Sequence, residues 1–234
     1  MTAIRYLLHQ RVTPHAGSAW LTTRERAIDA HFRLPKPRED WRLGRWTGKH
    51  ALAIAAGIGT DLTALRRIQI LPRPTGAPQA MLDGVPAPHA LSLSHSADTA
   101  LCAVAPRGIA VGCDVEGIDE RSEAFVDTFF TPDEMRLWSE AAADERDLLA
   151  TLIWSAKESA LKVLEVGLRM DTRDVEVSLE APSLGSGSGQ PGWRRLRVDW
   201  ANGASAWGGW WREAAGMVLT FASEMAERPP QPLG

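Results

Sequence analysis

The sequence predicts an α+β protein built from two similar lobes, each a small, mostly antiparallel sheet packed with helices. Three observations lead there. The chain has 234 residues, 44% hydrophobic and 24% charged, which is an ordinary globular composition with length enough for two halves to share or divide a core. Helical and β-rich runs interleave in both halves instead of segregating. The formal charge of −3 conceals a split: residues 1–113 carry 14 Lys+Arg against 7 Asp+Glu, and residues 114–234 carry 12 against 22. A basic lobe over 1–113 and an acidic lobe over 114–234 are expected, either one suited to an anion and the other to a cation or with charge merely segregated on solvated faces.

The elements follow in order. Residues 4–10 form a short strand. Trp20 to Phe32 and Glu39 to Ile58 read as helices, separated by a proline turn at Leu34-Pro35-Lys36-Pro37. Arg66 to Leu71 is a strand and Pro72 to Pro88 a Pro/Gly-rich loop. Three β runs follow, Ala90 to Ser94, Thr99 to Ala105 and Ile109 to Glu116, joined by hairpin-length connections. Thr131-Pro132-Asp133-Glu134 is a capping box with proline at the first helical position. A long helix runs from Asp144 to Val166 and stops at Gly167. Val175 to Leu179, Leu196 to Trp200, Ser205 to Trp211 and Met217 to Ala222 are strands. Leu184 to Gly192 is a Gly/Ser loop, and Glu227 to Gly234 a frayed tail. No repeat is visible residue by residue. Five of the ten tryptophans lie within 193–211, where they serve as packing for the last sheet or as a stacking platform.

Composition also removes function classes. The longest apolar-and-glycine run, Ala51 to Gly59, is nine residues, about half a bilayer crossing. The first residues do not read as a secretory signal, and two cysteines make no disulfide framework, so a cytoplasmic location is expected. The chain lacks a basic tract, which argues against a nucleic-acid partner.

Three constellations can carry chemistry. In Val111-Gly112-Cys113-Asp114-Val115-Glu116, strand alternation turns Asp114 and Glu116 to one face and Cys113 and Val115 to the other. Paired carboxylates repel unless a cation joins them, although an acidic edge strand has the same pattern. In Trp154-Ser155-Ala156-Lys157-Glu158-Ser159-Ala160-Leu161-Lys162, Glu158 lies opposite the apolar stripe with Lys162 one turn on, which alone is an everyday surface pair. Ser92-Leu93-Ser94-His95-Ser96 sets hydroxyls and an imidazole at a strand end, as a phosphate contact or as turn chemistry. Gly44-Arg45-Trp46-Thr47-Gly48-Lys49-His50 fails as a phosphate loop, being one residue short and ending on histidine. There is no nucleophile elbow.

Order and spacing join these pieces. G-x-D-x-E, then 44 positions after Asp114 the Glu158 of W-S-x-K-E-x-x-x-K, with S-H-S upstream, resembles the 4′-phosphopantetheinyl transferases of the surfactin-synthetase-activating type. Phe129-Phe130-Thr131-Pro132-Asp133-Glu134 is similar to that family's F-F-[ST]-x-x-E. Leu43-Gly44-Arg45 to Lys49 looks like its basic helix, and Gly167-Leu168 like the pair after its long helix. The similarity covers about residues 38–180.

The resemblance implies a pseudo-twofold monomer with its site between the lobes. It implies transfer of 4′-phosphopantetheine from coenzyme A to a serine of an acyl or peptidyl carrier protein, releasing adenosine 3′,5′-bisphosphate. The carrier would serve fatty-acid, polyketide or nonribosomal-peptide synthesis, and neither nucleic acid nor membrane is a partner. Asp114, Glu116 and Glu158 would hold Mg2+, or Mn2+ in its place, as a diphosphate under attack needs a hard cation. Glu158 would activate the serine and Lys162 neutralise phosphate charge, with Lys157 as a further phosphate contact. Arg38, Arg45 and His95, with Ser94 and Lys49, would hold the 3′-phosphate. Two departures stand out: Gly76-Ala77-Pro78 lacks the family's usual Lys or Arg, and Cys113 replaces Ile or Val. The alternatives are a carrier-binding module without turnover and another Mg2+-dependent nucleotidyl or phosphoryl transferase.

Overall fold

The computed structural model describes residues 4–10, 14, 16–180, 192–200 and 206–234. Along the chain run β1 (Arg5–Gln10), α1 (Thr23–His31), α2 (Pro35–Ala55), α3 (Leu62–Arg67), β2 (Ile68–Pro72), β3 (Pro78–Leu82), β4 (Val85–Pro86), β5 (His89–Ser96), β6 (Thr99–Pro106) and β7 (Val111–Gly117). Then come α4 (Glu123–Phe129), α5 (Pro132–Glu140), α6 (Arg146–Val163), β8 (Val175–Leu179), β9 (Arg194–Trp200), β10 (Ala206–Ala214), β11 (Met217–Ser223) and β12 (Gln231–Pro232).

One sheet has the order β12-β1-β6-β5 and a second β7-β11-β10-β9-β8, while β2-β3-β4 forms a ribbon lying alongside β5. Strand alternation sorts the side chains into layers. On β6, Cys102 and Val104 face α2, in a core with Trp20, Leu52, Leu65 and Ile70. Leu101 and Ala103 face the second sheet and meet Val111, Cys113, Val115, Leu219 and Phe221 in a core between the sheets. The far face of the second sheet is covered by α6 through Leu149, Ile153, Ala156 and Ala160. Each fully buried leucine or isoleucine in these layers contributes roughly 1.5–3 kcal/mol. The molecule is thus helix, sheet, sheet, helix, an α+β fold in two related lobes.

The relation between lobes is closer than the sequence suggested. The order β1-β6-β5, continued by β3-β2, repeats as β7-β11-β10-β9-β8. Thr22 caps α1 in a capping box with Glu25, as Thr131 caps α5 with Glu134. Glu25 Oε2 binds Lys49 Nζ of α2 at 2.6 Å, and Glu134 Oε2 binds Lys157 Nζ of α6 at 2.8 Å. The other carboxylate oxygen accepts from the backbone of the following strand, Ile70 N in one lobe and Val177 N in the other. Each ammonium is finished by two carbonyls, Trp20 and Leu65 for Lys49, Thr172 and Val175 for Lys157. All four charged groups are essentially unexposed, so every donor is matched inside the protein. The residues around the lysines then align as Trp46-Thr47-Gly48-Lys49-His50 and Trp154-Ser155-Ala156-Lys157-Glu158. The segment that failed as a phosphate loop is the first lobe's copy of the W-S-x-K-E helix.

Several expected boundaries move. The proline turn at 34–37 is the first turn of α2, because prolines at helix starts forfeit only donors that have no partner there. Arg66 and Arg67 end α3, capped by Asp61, and the strand begins at Ile68. The loop over 72–88 contains the ribbon strands β3 and β4. The long helix stops at Val163, before Glu165 at φ +57° rather than at Gly167. The tail is docked: β12 pairs parallel with β1, and Leu233 N donates to Tyr6 O as its side chain fills the α2 core. The division at 113/114 falls inside β7. The Gly/Ser loop lies outside the described residues apart from Gly192.

Candidate active site

The site is built on β7 and α6. A Cβ on Gly112 would sit 1.8 Å from Ser159 O, so only glycine lets the α6 backbone press against the strand. That contact brings the helix face carrying Glu158 and Lys162 over the strand face carrying Asp114 and Glu116. Cys113 and Val115 point the other way into the core between the sheets, as alternation requires, and burial pushes the Cys113 thiol up to about 11.

Asp114 is buried and fully engaged. Its Oδ1 accepts from Ser94 Oγ at 2.7 Å and from Lys162 Nζ at 2.7 Å, and its Oδ2 accepts from Ser155 Oγ at 2.8 Å. Ser155 is itself within 2.9 Å of Thr220 Oγ1, so strands of both sheets and α6 converge on one carboxylate. Glu116 takes a bond from Trp154 Nε1 at 3.3 Å and lies 3.7 Å from Arg121. Burial, with Asp114 adding repulsion, raises Glu116 to about 7 despite Arg121. Glu158 is half-buried, and its Oε1 is buried with no hydrogen-bond partner among the described residues. Burial raises its pKa, Lys162 opposes the rise and Asp114 adds to it. Burial alone would lower Lys162, but Asp114, Cys113 and Glu158 outweigh it, so the ammonium stays protonated.

The donor chemistry fits a hard divalent ion. Two carboxylates held against their charged form and an orphaned buried oxygen are what such an ion relieves, and all three groups offer oxygen. As they stand, Lys162 takes Asp114 Oδ1, and among the described residues no three His, Cys, Asp or Glu side chains are gathered as an ion's ligands.

A cavity of about 600 Å³ opens between the lobes, and of this group only Lys162 lines it. Lys162, Ser92 and Val111 line it, with Arg73, Arg107 and His89 as further basic groups and Gly76-Ala77-Pro78 at its edge. Arg73 reaches Glu165 at 2.7 Å and Arg169 reaches Thr75 O at 2.8 Å, tying the lobes across it. Lys162 is the link, lining the cavity while binding Asp114.

The cations expected around the 3′-phosphate are dispersed. Lys49 and Lys157 are fully buried in their ion pairs with Glu25 and Glu134 and do not line the cavity, a correction to both assignments. A lysine on a helix looks exposed in sequence, and only the distant glutamate shows that it is not. Arg38 is clamped by Asp29 at 2.6 Å in a separate recess with Phe32 and Leu34. Arg45 stacks on Trp41, and its buried Nε has no hydrogen-bond partner among the described residues. His95 stands at the exposed end of β5, within the fields of Asp40, Lys162, Lys36 and Asp114. Sequence reasoning missed Arg73, Arg107 and His89, which sit in turns and at a strand start with no motif around them. It also missed Ser155 as a partner of Asp114, although the motif contains it.

The stretch that carries this geometry has a counterpart among known families. Residues 110–201 match the model of the 4′-phosphopantetheinyl transferase superfamily. The match to the phosphopantetheinyl transferases begins at β7 and runs through β9, taking in Asp114, Glu116, Glu158 and Lys162, and it supports a transferase of that superfamily. No curated protein matches the chain. Among the described residues no helix is long and apolar enough to cross a membrane.

Proposed function

We propose that this protein is a phosphopantetheinyl transferase of the surfactin-synthetase-activating type, moving 4′-phosphopantetheine from coenzyme A to a carrier-protein serine. The observation that carries the reading is Lys162, which lines the cavity between the lobes and binds Asp114, near Glu158, whose Oε1 has no hydrogen-bond partner among the described residues. A cavity of that size suits a nucleotide-bearing ligand. Its basic rim at Arg73 and Arg107 supplies the charge that Gly76-Ala77-Pro78 lacks.

Asp114, Glu116 and Glu158 would hold Mg2+, which when bound withdraws charge from the diphosphate and raises its electrophilicity. The residues do the rest. Glu158, its pKa raised, accepts the proton of the carrier serine hydroxyl as the serine oxygen bonds to the phosphorus bearing pantetheine. The bond from that phosphorus to the bridging oxygen breaks, and adenosine 3′,5′-bisphosphate departs with the electron pair. Lys162 stays protonated and faces the charge gathering on the phosphate oxygens. Ser94 and Ser155 fix Asp114 in one orientation.

The test is the mass of an unmodified carrier protein after incubation with the enzyme, coenzyme A and Mg2+. One phosphopantetheine group is expected to be added, and none after chelation of the metal. Carrier binding without a mass change would overturn the reading in favour of a non-catalytic module.

A further inference from the structure

The lobe duplication places a second set of ligating groups where the first lobe repeats the acid site. Asp114 on β7 accepts from Ser155 of α6. At the matching place His9 of β1 lies with its Nδ1 3.0 Å from Thr47 Oγ1 of α2. Where Glu158 follows Lys157, His50 follows Lys49. The His9 and His50 rings stand 5.6 Å apart at 73°, with Trp46 4.4 Å from His50.

Hydrogen bonding fixes which nitrogen of each ring is free. Thr47 Oγ1 gives its only hydrogen to Leu43 O at 2.9 Å, so it accepts from His9 Nδ1–H. His50 Nδ1 is 2.8 Å from Trp46 O, and a carbonyl only accepts, so this Nδ1 also carries its proton. In the neutral ring each Nε2 then presents a bare lone pair, and neither has a protein partner among the described residues. Burial, with His50 adding repulsion, brings His9 down to about 4, and burial lowers His50. A ring whose Nδ1–H is committed to an oxygen is in the state in which histidine ligates through Nε2. Two imidazoles on one ion, each nitrogen about 2.0–2.1 Å from it, put their centroids roughly 4.5–6 Å apart.

We propose that His9 and His50 form a site for a borderline divalent cation such as Zn2+ or Cu2+, with water filling the remaining positions. The same strand-and-helix frame carries carboxylates in one lobe, which suit a hard ion, and imidazoles in the other, which suit a softer one. The site stands on the lobe duplication and not on the proposed transfer reaction.

The probes are Cu2+ and Zn2+ themselves, added to the full-length protein in excess Mg2+. Electron paramagnetic resonance is expected to show one Cu2+ with two equatorial nitrogens, and calorimetry one Zn2+ that Mg2+ does not displace. His9→Gln and His50→Gln should each weaken Zn2+ on the order of tenfold or more. His95→Gln and Asp114→Asn should leave it unchanged. Since a buried substitution can disturb folding, nitrogen-15 spectra of the unaltered protein give a second measure. Zn2+ should shift the Nε2 resonances of two histidines that hold their proton on Nδ1. Equal binding by the unaltered protein and the double variant, loss that follows His95→Gln or Asp114→Asn, displacement by Mg2+, or unmoved Nε2 resonances would each overturn the proposal.

Discussion

Glu158 and Lys162 sit one helical turn apart and have opposite fates. Lys162 is paired with Asp114, whereas Glu158 leaves one oxygen buried and unpartnered. A group in that state serves as a base or a ligand and contributes little to stability as it stands. Glu158→Gln keeps the shape and removes the basicity, so single-turnover transfer to a carrier should fall about 10²–10⁴-fold. Coenzyme A affinity, read by calorimetry without Mg2+, should hardly move. A parallel loss of affinity would make Glu158 a binding residue. His9 gives a prediction of a different kind. Its pKa of about 4 lies below the ordinary 6.5, so the folded state favours the neutral ring and the unfolded chain takes up the proton first. The stability it contributes is fully present above about pH 6.5 and is lost as pH falls toward about 4. Melting temperature should therefore drop across that window, and less steeply in His9→Gln; identical slopes would contradict the neutral assignment. Much at this scale was legible in the sequence. Strand alternation put Asp114 and Glu116 on one face with Cys113 behind them, whereas helical spacing alone made Glu158 and Lys162 an everyday surface pair and only the family resemblance singled them out. Lys49 and Lys157 were not legible, because a lysine's burial is decided by a glutamate more than twenty positions away.

At the scale of elements, the buried Glu–Lys pairs set where each long helix sits. Glu134 caps α5, binds α6 through Lys157 and holds β8 at Val177 N, so a single carboxylate fixes three elements. Breaking such a pair leaves one uncompensated charge, which costs about 3–5 kcal/mol. Lys157→Met should lower the unfolding free energy, read from urea melts, by that much, and Glu134→Leu added to it should restore part of the loss. If Lys157→Met instead kept stability and weakened only coenzyme A, the lysine would be a phosphate contact after all. Capping boxes were readable at α5, where Thr131, Pro132 and Glu134 stand together. The start of α2 was misread because two prolines resemble a turn when the free donors of a first helical turn are overlooked. The ribbon strands β3 and β4 were hidden by prolines, which are tolerated there because Pro78 opens β3 and Pro86 closes the short edge strand β4.

For the whole molecule, duplication explains the arrangement. Two copies of one strand-and-helix unit pack sheet against sheet, and the crevice between them holds both the basic cavity and the acidic strand. The charge split of the sequence matches where the charged groups lie, with the arginines of the cavity in the first lobe, but their geometry was not readable from it. The basic rim comes from Arg73 and Arg107 in turns instead of from the helix of Arg45 and Lys49. The duplication was legible only as similar element content in the two halves, since residue by residue the copies share little beyond the Thr-x-x-Glu capping boxes and Trp-Thr-Gly-Lys against Trp-Ser-Ala-Lys. The docked terminus was hidden for a similar reason, as only the fold shows that Leu233 has a place in the core.

The central claim is that Asp114, Glu116 and Glu158 share one divalent ion above a bound diphosphate. Calorimetric titration of Mg2+ into the coenzyme A complex tests it most directly. One ion per chain is expected for the unaltered protein, with binding lost in Asp114→Asn and weakened in Glu158→Gln. Unchanged stoichiometry and affinity in both variants would contradict it.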